Sequence, residues 1–98
     1  MYLERIIVRV KYGANAQMAE VLKRLNEDSI RHSVPKARLL QSTSGRQGTF
    51  VIEREYDSYD QYAAARKQQT TSKEFRTWYQ DFHILVDEAS NEYFNILA

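Results

Sequence analysis

Cysteine is absent from this chain of 98 residues, and glycine and proline are rare, with three and one respectively. Without cysteine the chain has no disulfides, no thiolate nucleophile and no thiolate ligand for a metal. Few glycines and prolines, together with 43% hydrophobic residues, exclude a fibrous or low-complexity chain and are typical of an ordered globular protein. This length supports one core, so we expect a single domain over residues 1–98.

The chain also lacks a strong charge of one sign and a long hydrophobic run. Lys and Arg (14) nearly balance Asp and Glu (13), so we expect no nucleic-acid partner, because no strong field attracts a polyanion. No apolar run approaches the length of a membrane span or a signal-peptide core, and Glu4, Arg5 and Arg9 interrupt the N-terminus. These features predict a cytoplasmic protein without a membrane partner.

The first half of the chain predicts a strand, a helix and a hairpin. Residues 3–11 alternate between apolar and charged side chains and are rich in β-branched residues, as strands are. Apolar residues at helical spacing then predict a helix that ends near His32. Residues 36–42 and 49–56 predict two antiparallel strands, because the segment between them contains two glycines, which permit the positive φ of a hairpin turn.

The second half predicts a helix in two parts, followed by a closing strand. A capping box, in which two side chains satisfy free backbone N–H groups, begins at Ser58, and a second begins at Thr71. Residues 92–97 are aromatic and aliphatic and predict the last strand. The second part of the helix carries the strongest apolar stripe of the chain, formed by Phe75, Trp78, Tyr79, Phe82 and Val86.

The order strand, helix, strand, strand, helix, strand predicts an α+β fold. It is the ferredoxin-like βαββαβ sandwich, in which two helices cover one face of a four-stranded antiparallel sheet. Apolar residues nevertheless occur in both strand phases, with Leu3, Ile7 and Val51 in the phase that the helices do not cover. A second copy presenting the same face would bury that patch twice, so we expect a homodimer packed sheet to sheet; the alternative is a solvated face.

In the order of its elements, its length and its residue pattern, the chain resembles the dimeric α/β-barrel superfamily, which includes antibiotic-biosynthesis-monooxygenase-type and NIPSNAP-like proteins. The resemblance also rests on the aromatic second helix, with Trp78 and Phe82, and on the closing Asn91-Glu92-Tyr93-Phe94 strand. It implies that two ferredoxin-like protomers pack sheet to sheet into a barrel. It also implies a pocket in each protomer, between helices and sheet, for small hydrophobic or aromatic molecules.

The same resemblance leaves the cofactor open. Superfamily members include cofactor-independent oxygenases, haem-binding and haem-degrading enzymes, and proteins without established activity. In the haem-degrading branch an Asn on strand one accompanies a Trp and a His. Strand one here has no Asn, so only Trp78 and His83 match, and we expect no cofactor, with haem as the alternative.

Arg54 is the charged residue whose predicted position is most informative. It shares its strand phase with Phe50, Ile52 and Tyr56, so its side chain is expected to point toward the helices. A buried arginine needs an anionic partner. Either Arg54 and Tyr56 orient an acidic substrate, or Arg54 forms an internal salt bridge.

Histidine offers a general base near neutral pH. His83 follows Tyr79 by one turn and lies on the flank of the apolar stripe, which suits a base at the pocket edge and equally a half-exposed surface histidine. His32 falls near a helix end, where backbone carbonyls and the helix dipole account for it without a function. Neither histidine has a carboxylate at a metal-binding spacing, so we expect no metal site.

Four aromatic residues are candidates to bind a ligand in the pocket. Trp78 and Phe82 would form its wall, and Tyr12 and Tyr79 would supply hydroxyl donors. The alternative is ordinary core packing, which is common for aromatic residues at helical spacing.

Two functions follow from these residues. The first is a cofactor-independent monooxygenase-like or isomerase-like enzyme acting on a small aromatic or acidic molecule, with Arg54, Tyr56 and His83 as catalytic residues. The second is a noncatalytic dimer that binds a ligand or a protein partner. Solid packing of Trp78 and Phe82 against Phe50 and Ile52 would exclude the first, because it leaves no space for a substrate.

Overall fold

The computed structural model describes residues 1–31, 34–45 and 47–98. Its four strands form one antiparallel sheet in the order β2-β3-β1-β4, with the helices packed on one face. This confirms the α+β ferredoxin-like prediction. The elements are β1 (Tyr2–Val10), α1 (Asn15–Arg24), α2 (Asp28–Arg31), β2 (Arg38–Gln41), β3 (Thr49–Tyr56), α3 (Tyr59–Thr71), α4 (Lys73–His83) and β4 (Val86–Asn95).

Strand register decides which side chains face the helices. Ile6 of β1 lies opposite Ile52 of β3 and Asn91 of β4, and Glu4 lies opposite Arg54 and Tyr93. Because side chains alternate along a strand, these residues share the helix-covered face. The other face has no helix over it within the described chain, and it carries Leu3, Arg5, Ile7 and Arg9 from β1 together with their neighbours on the adjacent strands.

The core lies between α1, α4 and the sheet. Val8, Met18, Leu22 and Leu25 are almost completely buried, and Phe50, Ile52, Trp78 and Phe82 join the same cluster. The Trp78 indole donates a hydrogen bond from Nε1 to the Val21 carbonyl at 2.7 Å. That carbonyl lies in the last turn of α1, where intrahelical partners run out, so this bond joins α1 to α4.

Several boundaries differ from the sequence predictions. The last strand begins at Val86, not at residue 92, because it pairs along the whole of β1. The first half of this strand is polar and exposed, so the sequence pattern did not indicate it. Val86 belongs to this strand and not to the helical stripe. The cap of α4 is Ser72, one residue after the predicted Thr71, and its hydroxyl accepts a hydrogen bond from the Phe75 amide at 3.1 Å.

The first helix is also shorter than predicted. It ends at Arg24, and the side chain of Asn26 then exchanges two hydrogen bonds with the backbone of Ala37, at 2.9 and 2.7 Å. These bonds hold the chain against the start of β2, so a short separate helix follows. His32, the predicted end of the first helix, lies outside the described residues. Among the helices described, none is long and apolar enough to cross a membrane.

Candidate functional site

A cavity of about 540 Å³ lies between the sheet and the two C-terminal helices. Strands β1, β3 and β4 form its floor, and α3 and α4 form its roof. Its apolar wall is made by Ile6, Leu25, Ile52, Phe75, Trp78 and Phe82. Trp78 and Phe82 stack with ring centroids 5.0 Å apart, yet they leave this space beside the sheet, so the solid packing that would exclude a substrate is not found.

One end of the cavity is polar and charged. The Glu4 carboxylate is buried, and its Oε1 accepts a hydrogen bond from the Tyr56 hydroxyl at 3.3 Å. Two guanidinium groups lie beside it: Arg54 Nη1 is 3.8 Å from Oε1, and Arg66 Nη1 is 3.8 Å from Oε2. Two positive charges against one negative charge favour an anionic ligand at this end.

Arg54 has hydrogen-bonding capacity to spare. It is 4% exposed, and its Nε donates to the Pro35 carbonyl at 3.1 Å. Its Nη2 is buried without a hydrogen-bond partner within the described residues, and so is Nε2 of Gln69 on α3. Both residues line the cavity, so each brings a buried donor without a partner to the cavity wall.

A group of hydroxyls continues from the polar end toward β4. Tyr62 donates to the Tyr93 hydroxyl at 3.0 Å, and Asn91 Nδ2 donates to the same oxygen at 3.3 Å. Burial, and then the Glu4 charge, raise the pKa of Tyr56. Burial, and then the hydrogen bond with Tyr93, raise the pKa of Tyr62. Both phenols therefore stay protonated at neutral pH.

The structure brings four of the seven predicted site residues to the cavity: Arg54, Trp78, Tyr79 and Phe82 line it. Tyr56 is buried outside this lining, and its hydroxyl donates a hydrogen bond to the lining residue Glu4. The internal salt bridge offered as the alternative for Arg54 is also present, as the contact with Glu4. The catalytic and binding roles of these residues stay predictions.

Two predicted residues lie elsewhere. Tyr12 is fully exposed in the turn after β1, beyond the end of the sheet, so its expected place in the cavity was wrong. His83 is exposed at the end of α4, where its ring stacks on Tyr79 at 5.8 Å. Helical phase explains this placement, because Phe75, Trp78 and Phe82 face the sheet while residues 79 and 83 are rotated toward the helix edge.

Several polar lining residues were not singled out from the sequence, among them Glu4, Arg66 and Gln69. For Glu4 a signal existed, because it shares the strand phase of Ile6 and Val8 and lies directly opposite Arg54. Gln69 and Arg66 lie on a helix whose polar sequence gives no clear apolar face, so nothing in the sequence distinguishes them from surface residues.

Within the described chain, the cavity lining lacks the usual axial ligands of a haem. His, Met and Cys supply the axial ligand in most haem proteins, and the cavity lining, drawn from the described residues, contains none of them. His83, which the resemblance offered as a match, lies outside the lining. Across residues 1–31, 34–45 and 47–98 there is also no group of three His, Cys, Asp or Glu side chains that could hold a metal ion.

Solved structures with this fold come from several bacteria. An uncharacterized NIPSNAP domain protein from Burkholderia xenovorans superposes with a TM-score of 0.84 at 18% identity, over 100% of this chain and 96% of its own. A NIPSNAP family protein of unknown function from Agrobacterium tumefaciens gives 0.85 at 18% identity, over 96% and 86%. A proposed antibiotic biosynthesis monooxygenase from Nitrosomonas europaea gives 0.77 at 20% identity, over the full length of both chains.

Neither a protein-family model nor a curated protein sequence matches the chain. At such low identities the structural likeness defines the fold, which is the ferredoxin-like α+β fold of NIPSNAP-family proteins and of the monooxygenase-like neighbour. The resemblance drawn from the sequence is thereby confirmed at the level of the fold.

Proposed function

We propose that the protein binds a small aromatic or conjugated acid in the cavity between helices and sheet. The observation that carries the proposal is a pair of buried donors, Arg54 Nη2 and Gln69 Nε2, which belong to two residues lining one cavity and have no partners in the described chain. A buried donor left unpaired costs about 1–3 kcal/mol, and an acceptor on a ligand removes that cost. The ligand's acid group occupies the polar end, and its ring lies along Trp78 and Phe82.

The chemistry proposed is that of a small cofactor-independent enzyme, monooxygenase-like or isomerase-like. Support comes from the apolar wall beside charged groups, an arrangement common in active sites, and from the monooxygenase name given to the Nitrosomonas europaea protein. The second candidate, a noncatalytic binding protein, uses the same cavity and the same donors. The two candidates differ only in whether a bound acid reacts.

We also propose that the protein is a homodimer, formed through the face of the sheet opposite the helices. Leu40 and Phe94 are exposed on this face, and Arg5 lies over the Phe94 ring at 5.2 Å from its centroid. Glu53, buried on the same face, accepts hydrogen bonds from Arg5 at 2.7 Å and from Arg38. A twofold contact covers the apolar residues and leaves these ion pairs matched within each protomer.

Isothermal titration with trans-cinnamate and its neutral amide, trans-cinnamamide, tests the binding proposal, because the two share shape and differ in charge. We expect the acid to bind at least about tenfold more tightly, as a charged hydrogen bond contributes roughly 1.5–3 kcal/mol. Arg54→Gln should remove that preference. Arg24→Gln is the matched control, since Arg24 lies on α1 paired with Asp81, away from the cavity. Equal affinities of the acid and the amide for the unmodified protein would contradict the proposal.

A further inference from the structure

Glu4 has an unusual position for a carboxylate: it is buried at 4% exposure, faces the helices from the central strand β1, and lines the cavity. Its Oε1 is held by the Tyr56 hydroxyl at 3.3 Å and by Arg54 Nη1 at 3.8 Å. Neither contact is a short charged hydrogen bond, so the carboxylate keeps accepting capacity toward the cavity.

The Arg54 guanidinium connects the Glu4 carboxylate to the buried donors that have no partner among the described residues. Arg54 presents Nη1 to Glu4 and leaves Nη2 without a partner among the described residues, and Gln69, which lines the same cavity, likewise leaves Nε2 without one. A carboxylate base beside two donors is what proton abstraction next to a carbonyl requires, because the base takes the proton and the donors stabilise the oxygen on which charge develops. Proton abstraction uses the base and the donors together.

We propose that Glu4 is the catalytic base of this cavity and that its substrates are carbon acids, in which a C–H bond lies between an aromatic ring and a carbonyl group that adjoins the acid group. The inference rests on the proposed binding of an aromatic or conjugated acid and names its reactive class. Arg54 and Gln69 bind the acid group together with the carbonyl oxygen beside it, and the apolar wall holds the ring.

The step balances without a co-reactant. The Glu4 carboxylate removes the proton, the electron pair of the broken C–H bond forms a C=C bond, and the carbonyl electrons move to oxygen as an enolate. Protonated Glu4 then returns the proton to the enolate oxygen or to carbon. The product is a tautomer or an isomer of the substrate, and no group is oxidised or reduced.

Phenylpyruvate is a suitable probe, because it carries an aromatic ring, a carboxylate, and benzylic protons next to a carbonyl. In D2O, proton NMR follows replacement of those protons by deuterium, and titration calorimetry measures binding of the same compound. We expect the protein to accelerate exchange above the buffer rate. Glu4→Gln should lower the enzymatic exchange rate by about 100-fold or more, as loss of a general base does, with the dissociation constant within about threefold.

Two further variants complete the test. Glu55→Gln is the matched control, because Glu55 is exposed on β3 and lies on the other face of the sheet; its exchange rate should equal that of the unmodified protein. Glu4→Asp keeps the charge but withdraws the carboxylate, so it should also slow exchange, and it serves if Glu4→Gln fails to fold.

The outcomes separate the two proposals. Exchange that depends on Glu4 and not on Glu55 supports the inference. Binding of phenylpyruvate without accelerated exchange, or unchanged exchange in Glu4→Gln or in Glu4→Asp, overturns it and leaves the binding function standing. Failure of the unmodified protein to bind phenylpyruvate contradicts the proposed function itself.

Discussion

Replacing Gln69 by methionine should stabilise the free protein and weaken ligand binding at once. Gln69 is 7% exposed on α3, and within the described chain its Nε2 has no hydrogen-bond partner. Methionine has a similar length and removes the donor, so it removes a cost of about 1–3 kcal/mol. Since the new side chain also loses rotamer freedom and needs some repacking, we expect a net gain of about 1 kcal/mol.

For a domain of this size, that gain raises the Tm by about 4–8 °C. Circular dichroism at one fixed protein concentration measures it, because the homodimer proposed above would make the Tm depend on concentration. Gln17→Met is the matched control, since Gln17 is exposed on α1 and its replacement should change the Tm little. Affinity for trans-cinnamate should fall about tenfold in Gln69→Met alone, through loss of one hydrogen bond to a charged group.

A Tm that falls by several degrees in Gln69→Met and not in Gln17→Met would contradict the expected gain in stability. The amide would then have a protein partner in solution. An unchanged affinity would show that Gln69 does not contact the acid.

Two other predictions concern stability. The pKa of Glu53 is lowered by hydrogen bonds from Arg38 and then Arg5, so its contribution is complete above the unfolded pKa of about 4.3 and is lost as the pH falls through the lower folded value. In urea unfolding from pH 7 to pH 2, the stability advantage of the protein over Glu53→Gln should therefore shrink only below about pH 4.3; a constant difference would contradict this. Trp78→Phe should lower the free energy of unfolding by about 1–3 kcal/mol, because the Val21 carbonyl loses its 2.7 Å donor; a urea melt showing no loss would count against the α1–α4 link.

The sequence predicted the fold well where side-chain pattern and backbone geometry agree. The strand at residues 49–56 has the predicted bounds, because Phe50, Ile52 and Tyr56 keep one phase along its length. The closing strand was recognised only in its aromatic second half. Its first half is exposed, so its side chains carry no pattern of burial, and its pairing with β1 is a tertiary effect.

The candidate site was predicted in part for a similar reason. Strand phase gives direction, and it placed Arg54 under the helices correctly. Helix phase also separated Trp78 and Phe82 from the surface. Neither phase can show that packing leaves a void, or that Gln69 on a polar helix turns toward that void, because both depend on how α3 and α4 settle together on the sheet.

A high-resolution crystal structure of the protein with trans-cinnamate would show directly whether the cavity binds an acid. We expect the carboxylate within hydrogen-bond distance of Arg54 Nη2 and Gln69 Nε2, with the ring beside Trp78 and Phe82. A cavity filled by side chains, or an acid bound elsewhere while both donors are satisfied by the protein, would contradict it.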